Sequence, residues 1–69
     1  MADGFPTQLK SILYQEGRRQ SWLAERAGLT ESRMSYIVNG LRPSEDEARR
    51  IAEALGRDRG DVFPAEAAA

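Results

Sequence analysis

The sequence predicts an all-α fold of five short helices in one compact domain. Three observations predict it. Apolar residues recur at i, i+3 and i+4 in successive segments, the spacing that lines one face of a helix. Glycines stand where the stripes end, at Gly17, Gly28, Gly40 and Gly56. No segment alternates apolar and polar residues in the manner of a half-buried strand.

The first helix is expected in "PTQLKSILYQEG". Pro6 suits a first helical turn, Leu9, Ile12 and Leu13 form the stripe, and Gly17 ends it. "RRQ" is a short link. In "SWLAERAG" the residues Leu23, Ala24 and Ala27 mark one face before Gly28 stops the run. Thr30 is a suitable N-cap for a third helix, because its hydroxyl can accept an orphan backbone N–H. That helix should bury Met34, Ile37 and Val38, then Leu41, with Gly40 closing it and Pro43 forbidding continuation. "SEDEARRIAEALG" opens on Ser44 and Glu47, the pair of a capping box. Glu45, Asp46 and Glu47 also sit at the positive end of the helix dipole. Ala48, Ile51, Ala52 and Leu55 form the fourth stripe, and Gly56 caps it. Asp58 is placed to cap a last turn, "RGDVF", with Val62 and Phe63 turned inward. The domain is expected over residues 6–64, with a flexible arm at 1–5 and a disordered tail at 65–69, where "AEAAA" has nothing to bury.

Composition removes several function classes. The 69 residues leave room for one modest core. There is no cysteine and no histidine, so disulfides, thiolate metal sites, the commonest general base and the commonest zinc ligand are all missing. No phosphate loop is present, and no carboxylate pair lies outside helix-surface positions, so the chain is not expected to be an enzyme or to hold a metal or cofactor. No small-molecule ligand is evident. No apolar run approaches the roughly 18 residues that span a bilayer, and "MADGFPTQLK" lacks the features of a signal peptide. No membrane partner and a cytoplasmic location are therefore the expectation.

Only Gly28 and Leu29 separate the second helix from the cap of the third. So short a link favours a sharp crossing, the geometry of a helix-turn-helix. Gly28 fits because the chain reverses there, and positive φ is cheap only without a Cβ. Ala24 fits because the third helix crosses over it. Leu29, Met34 and Ile37 should pin the third helix against the first two. Its other side is unusual. A solvated helix face usually carries Glu and Lys, whereas this one carries Ser32, Ser35, Tyr36 and Asn39, with Arg33 beside them.

"QSWLAERAGLTESRMSYIVNG" resembles the helix-turn-helix of the phage Cro/repressor-like (Xre-type) family. The family pattern is matched by Gln20, Leu23, Ala24, Gly28, Thr30, Met34, Ile37, Asn39 and Gly40. The likeness continues through "RPSEDEARRIAEALGRDRGDVF", so it covers Leu9 to Phe63. Two positions depart from the pattern. Arg19 stands where the second helix is commonly capped by Ser or Thr, an exchange that suits a phosphate contact. Trp22 stands where Glu is frequent, and is expected to cover the first or fourth helix.

The resemblance implies a repressor-like DNA-binding domain whose third helix enters the major groove. Residue by residue, Glu31, Ser32 and Tyr36 match base-reading positions, and Gln20 and Asn39 match positions that hold the phosphate backbone. Arg33 lies on the flank and suits guanine or phosphate. Ser35 flanks the face, and Arg42 is placed for phosphate or minor-groove contact. In the family the symmetric contact is usually made near the fifth helix, which here maps to Val62, Phe63 and Pro64. Phe63 has an equal claim to the core.

The expected function is a sequence-specific transcriptional regulator that binds an operator in double-stranded DNA as a homodimer, formed either in solution or only on DNA. With the fifth helix close to the end of the sequence, either a Cro-like or controller-like protein without an effector domain or a piece of a longer chain is expected. The alternative is a protein-binding module of the same fold, an antitoxin or assembly partner with DNA binding secondary. Net charge is −1, which favours that alternative. The distribution is mildly uneven. Lys10, Arg18, Arg19, Arg26, Arg33 and Arg42 outnumber the acids of residues 1–43, and acids predominate thereafter. The Glu-poor face of the third helix favours DNA.

Overall fold

A computed structural model describes residues 4–64. Five helices follow in order: α1 Leu9–Glu16, α2 Gln20–Ala27, α3 Glu31–Val38, α4 Glu45–Leu55 and α5 Arg59–Val62. The expected arm residues 1–3 and the expected tail 65–69 lie outside the described residues. Helix α2 packs on both α3 and α4, and α4 carries α5.

The stripes read from the sequence become one core. Leu9, Leu23, Met34, Ile37, Ile51, Val62 and Phe63 are fully buried, and among the described residues no polar or charged one is buried with them. Each helix turns its apolar side into the core, and burial of this kind is the main term holding so small a domain together. Leu41 is half-buried beyond the end of α3, and Leu55 is half-buried at the end of α4. Both had been expected deeper.

The caps explain the boundaries. Thr30 accepts from Arg33 N through its hydroxyl at 3.1 Å. Ser44 and Glu47 form the complete capping box: Glu47 N donates to Ser44 Oγ at 3.1 Å, and Ser44 N donates to Glu47 Oε1 at 2.9 Å. Asp58 stands at the N-cap of α5 but makes no side-chain cap bond. The first helix begins later than Pro6. Leu9 N donates to Thr7 Oγ1 at 3.1 Å and Gln8 N donates to Val62 O at 2.8 Å. These bonds turn the chain before the helix opens, and Pro6 lies in the extended lead-in.

That lead-in belongs to the packed body. Phe5 N donates to Gly40 O at 2.9 Å, and the Phe5 ring lies 6.1 Å from that of Phe63. Residue 5, assigned to the arm from sequence, thus straps the end of α3 to the end of α5. Gly40 permits this, since a Cβ there would stand 3.1 Å from Gly4 N.

The turn between α2 and α3 has the expected form. Gly28 is left-handed at φ 73°, and its N–H bonds back to Ala24 O and Glu25 O. Leu29 N then donates to Ala24 O at 2.8 Å, which satisfies the last carbonyls of α2. Ala24 is only 1 % exposed at the crossing.

Candidate nucleic-acid interface

Helix α3 is two-sided. Met34, Ile37 and Val38 are buried. Glu31, Ser32, Tyr36 and Asn39 are exposed, with Tyr36 at 66 %. At 100° per residue, Ser32, Tyr36 and Asn39 fall on one side of the wheel. The structure thus brings together three of the sequence-predicted residues, Ser32, Tyr36 and Asn39, as an outward strip along α3, with Glu31 exposed at its N-terminal edge. Ser35 is half-buried at the flank of that strip. Asn39 Nδ2 donates to Ser35 O at 2.8 Å, so the amide is held at the helix end with one N–H still to give.

Arg33 is turned elsewhere. Its Nε donates to Glu47 Oε2 and its NH2 to Glu47 Oε1, both at 2.7 Å. This two-pronged pairing ties α3 to the first turn of α4. The Arg33 guanidinium holds the Glu47 carboxyl far below the usual carboxylate range, down to about 2, assisted by the Ser44 backbone N–H. The same contact raises Arg33 further above its ordinary value. Arg33 reads from sequence as a base or phosphate contact; here two of its donors are bonded to Glu47, while its side chain stays 40 % exposed. The acceptor, fourteen positions away, was visible in the sequence only as the helix cap Glu47.

The remaining predicted residues frame the strip. Gln20 opens α2 and is half-buried; Arg19 is exposed in an extended conformation at the α2 N-cap, without a side-chain cap bond. Arg42 lies beyond α3, its guanidinium 5.1 Å from the Phe5 ring centre. Trp22 is half-buried against the core, as a cover. Its outer surface carries a feature unforeseen from sequence: Arg18 stacks 4.4 Å from the indole centre and Arg26 5.6 Å. Trp22 and Arg26 are four apart within α2, so helical spacing held that half of the signal; Arg18 reaches the ring from the link before the helix.

The expected dimer contact needs correction. Val62 and Phe63 are both fully buried and offer no side chain to a second copy. The reason is local. Val62 is the last residue of α5, and Phe63 leaves the helix at φ −123°, ψ 88°. The change of backbone swings the second side chain back inward, where two successive helical residues would have diverged. Pro64 is half-buried and is the member of the trio with surface to offer.

Among the described residues no helix is long and apolar enough to cross a membrane. Comparison with curated proteins and with solved structures returns no match. Comparison with family models returns the helix-turn-helix domain, matched over residues 7–63. That span runs from the lead-in to α1 through the end of α5, and includes the Gly28 turn and the whole of α3. The chain belongs to the helix-turn-helix domain family.

Proposed function

We propose that this protein is a transcriptional regulator that reads an operator in double-stranded DNA by laying α3 in the major groove, and that it does so as a dimer. Membership in the helix-turn-helix domain family implies DNA binding. The observation that carries the finer reading is the outward strip of α3, with Ser32 and Tyr36 exposed opposite a fully buried Met34 and Ile37. A major groove about 12 Å wide admits one helix, and short polar side chains with one aromatic allow close approach to base edges. Glu31, Ser32 and Tyr36 are assigned to base reading. Gln20, Arg19, Ser35, Asn39 and Arg42 are assigned to the phosphate backbone. The Arg33 pairing with Glu47 supports a positioning role in place of base contact. One domain reads few base pairs, so a two-fold site bound by two copies supplies the affinity and information a regulator needs. Pro64 is the candidate contact between copies.

The net charge of −1 favours a second reading, in which the same strip docks on a protein. One experiment separates the two. Duplexes selected from a random pool by the parent protein are tested against Tyr36→Ala and Gln20→Ala. Tyr36→Ala should weaken the selected site by about 1–3 kcal/mol, the scale of one base contact, and random DNA much less. Gln20→Ala should weaken both alike, because phosphate contacts carry no sequence information. Melting of Tyr36→Ala should match the parent. Absence of any enriched sequence would sink the regulator reading in favour of the protein partner.

A further inference from the structure

A groove of about 270 Å³ lies beside the end of α3, between the N-terminal strap and the start of α1. Gly4 and Phe5 form one wall, Thr7, Lys10 and Ser11 the second, and Asn39 the third. Three comparable surface grooves each carry at least one carboxylate: Glu53 in the groove between α2 and α4, Glu25 and Glu31 in that beside Trp22, Glu45 and Asp46 in that beside Arg59. The groove between α2 and α4 also holds Arg26, Arg49 and Arg50, but Arg49 and Arg50 stand in ion pairs with Asp46 and Glu53. The groove beside Asn39 is lined by no carboxylate, and Lys10 is its one charged lining residue.

Its components suit an anion. Lys10 is exposed and brings three donors. Thr7 Oγ1 already accepts from Leu9 N, which leaves its hydroxyl hydrogen to donate, and Ser11 adds a second exposed hydroxyl. Asn39 has one amide N–H beyond the bond to Ser35 O. Lys10 also sits in the first turn of α1, where a cation opposes the helix dipole, so its charge does not serve the helix that bears it. The strap is fixed across the groove by the bond from Phe5 N to Gly40 O, and the walls are therefore preformed.

We infer that this groove binds one phosphodiester of the DNA backbone, with Lys10 as its principal ligand and Ser11, Thr7 and Asn39 as hydrogen-bond donors. The inference rests on the proposed DNA reading. Asn39 lies both on the outward strip of α3 and in the groove, so a duplex seated on α3 carries its backbone past Lys10. Helix α1, which contributes nothing to base reading, thereby becomes part of the DNA-binding surface.

The test measures binding of the selected duplex, and of random duplex, by the parent, Lys10→Ala and Lys10→Arg across a range of salt. Each phosphate neutralised contributes about 0.9 to the slope of log K against log salt. Lys10→Ala should lower the slope by about that amount. Between about 50 and about 200 mM salt it should then lose about 3.5-fold less affinity than the parent does. The loss should be equal on both duplexes, melting should be unchanged, and Lys10→Arg should retain the parental slope. A second arm replaces backbone phosphates one at a time by neutral methylphosphonates. The parent should weaken at one phosphate in each half-site where Lys10→Ala does not. If the parent discriminates the selected duplex while Lys10→Ala keeps the parental slope and methylphosphonate profile, the groove proposal is overturned alone. A parent that binds neither duplex overturns both this proposal and the DNA reading.

Discussion

Helices α3 and α4 are neighbours in sequence and use their polar side chains in opposite ways. In α4 they are bonded to one another. Ser44 and Glu47 close the cap, Arg49 pairs with Asp46 and Glu53, and Arg50 Nε lies 3.0 Å from Asp46 Oδ2. In α3, no hydrogen bond among the described residues uses the side chain of Ser32 or Tyr36. The bonds that α3 does make, the Thr30 cap, the Asn39 amide and the Arg33–Glu47 pair, lie at its ends and on its flank. The charged groups of α4 are largely paired, although Arg50 Nε, close to Asp46, makes no hydrogen bond of its own. The strip of α3 is left toward water, which is what the proposed DNA reading requires of it. The difference also says how α3 is held: by its apolar side, by the turn before it and by one ion pair, with nothing on the strip itself contributing.

That account can be broken most easily at the turn. Gly28→Val places a β-branched residue at φ 73°, with its Cβ 3.1 Å from Arg50 NH1. We expect a loss of about 1–3 kcal/mol, which for a domain of this size lowers the melting temperature by roughly 4–8 °C per kcal/mol. Thermal melting followed by circular dichroism checks it. Parental melting would mean that the turn does not set the placement of α3.

The next test addresses the ion pair between the two helices. Glu47 has a folded-state pKa depressed to about 2 from an ordinary 4.5. Its contribution to stability is therefore complete above the ordinary value and is lost as pH falls through the window from about 4.5 to about 2. Denaturant titrations of the parent should show such a decline, on the order of 1–3 kcal/mol. Glu47→Gln, which retains a side chain able to accept in the cap, should be less stable at neutral pH and should lose less on acidification. A variant with the parental pH profile would show that Arg33 does not hold the carboxylate in solution. The smallest effect is expected on the exposed side of α4. Arg49→Ala removes pairs between side chains more than half exposed, and urea titration should register less than about 1 kcal/mol. A larger loss would show that the surface network of α4 acts as a unit.

The parts legible in the sequence were those fixed within a few residues. The stripe of α3, the Thr30 cap, the Ser44–Glu47 box and the positive φ at Gly28 each depend on spacing along one segment, and the structure contains them all. The outward strip of α3 was legible for the same reason, being the complement of its stripe. What escaped depends on how segments meet. Phe5 reads as an arm residue until Phe63 and Gly40 are brought beside it. Arg33 reads as an exposed cation until the α3–α4 crossing presents Glu47. Val62 and Phe63 read both as inward residues and as a contact between copies, until the packing of α5 shows both fully buried. The grouping of Lys10 with Asn39 needs the strap, which no local pattern announces.

The withdrawal of Arg33 into its pair with Glu47 has a practical consequence for retargeting. If the proposed reading holds, a combinatorial library built on this scaffold would randomise positions 31, 32 and 36, and hold position 33 constant. Arginine there is paired with a carboxylate on another helix, and diversifying it would lower the stability of the clones before any were screened for a new target sequence.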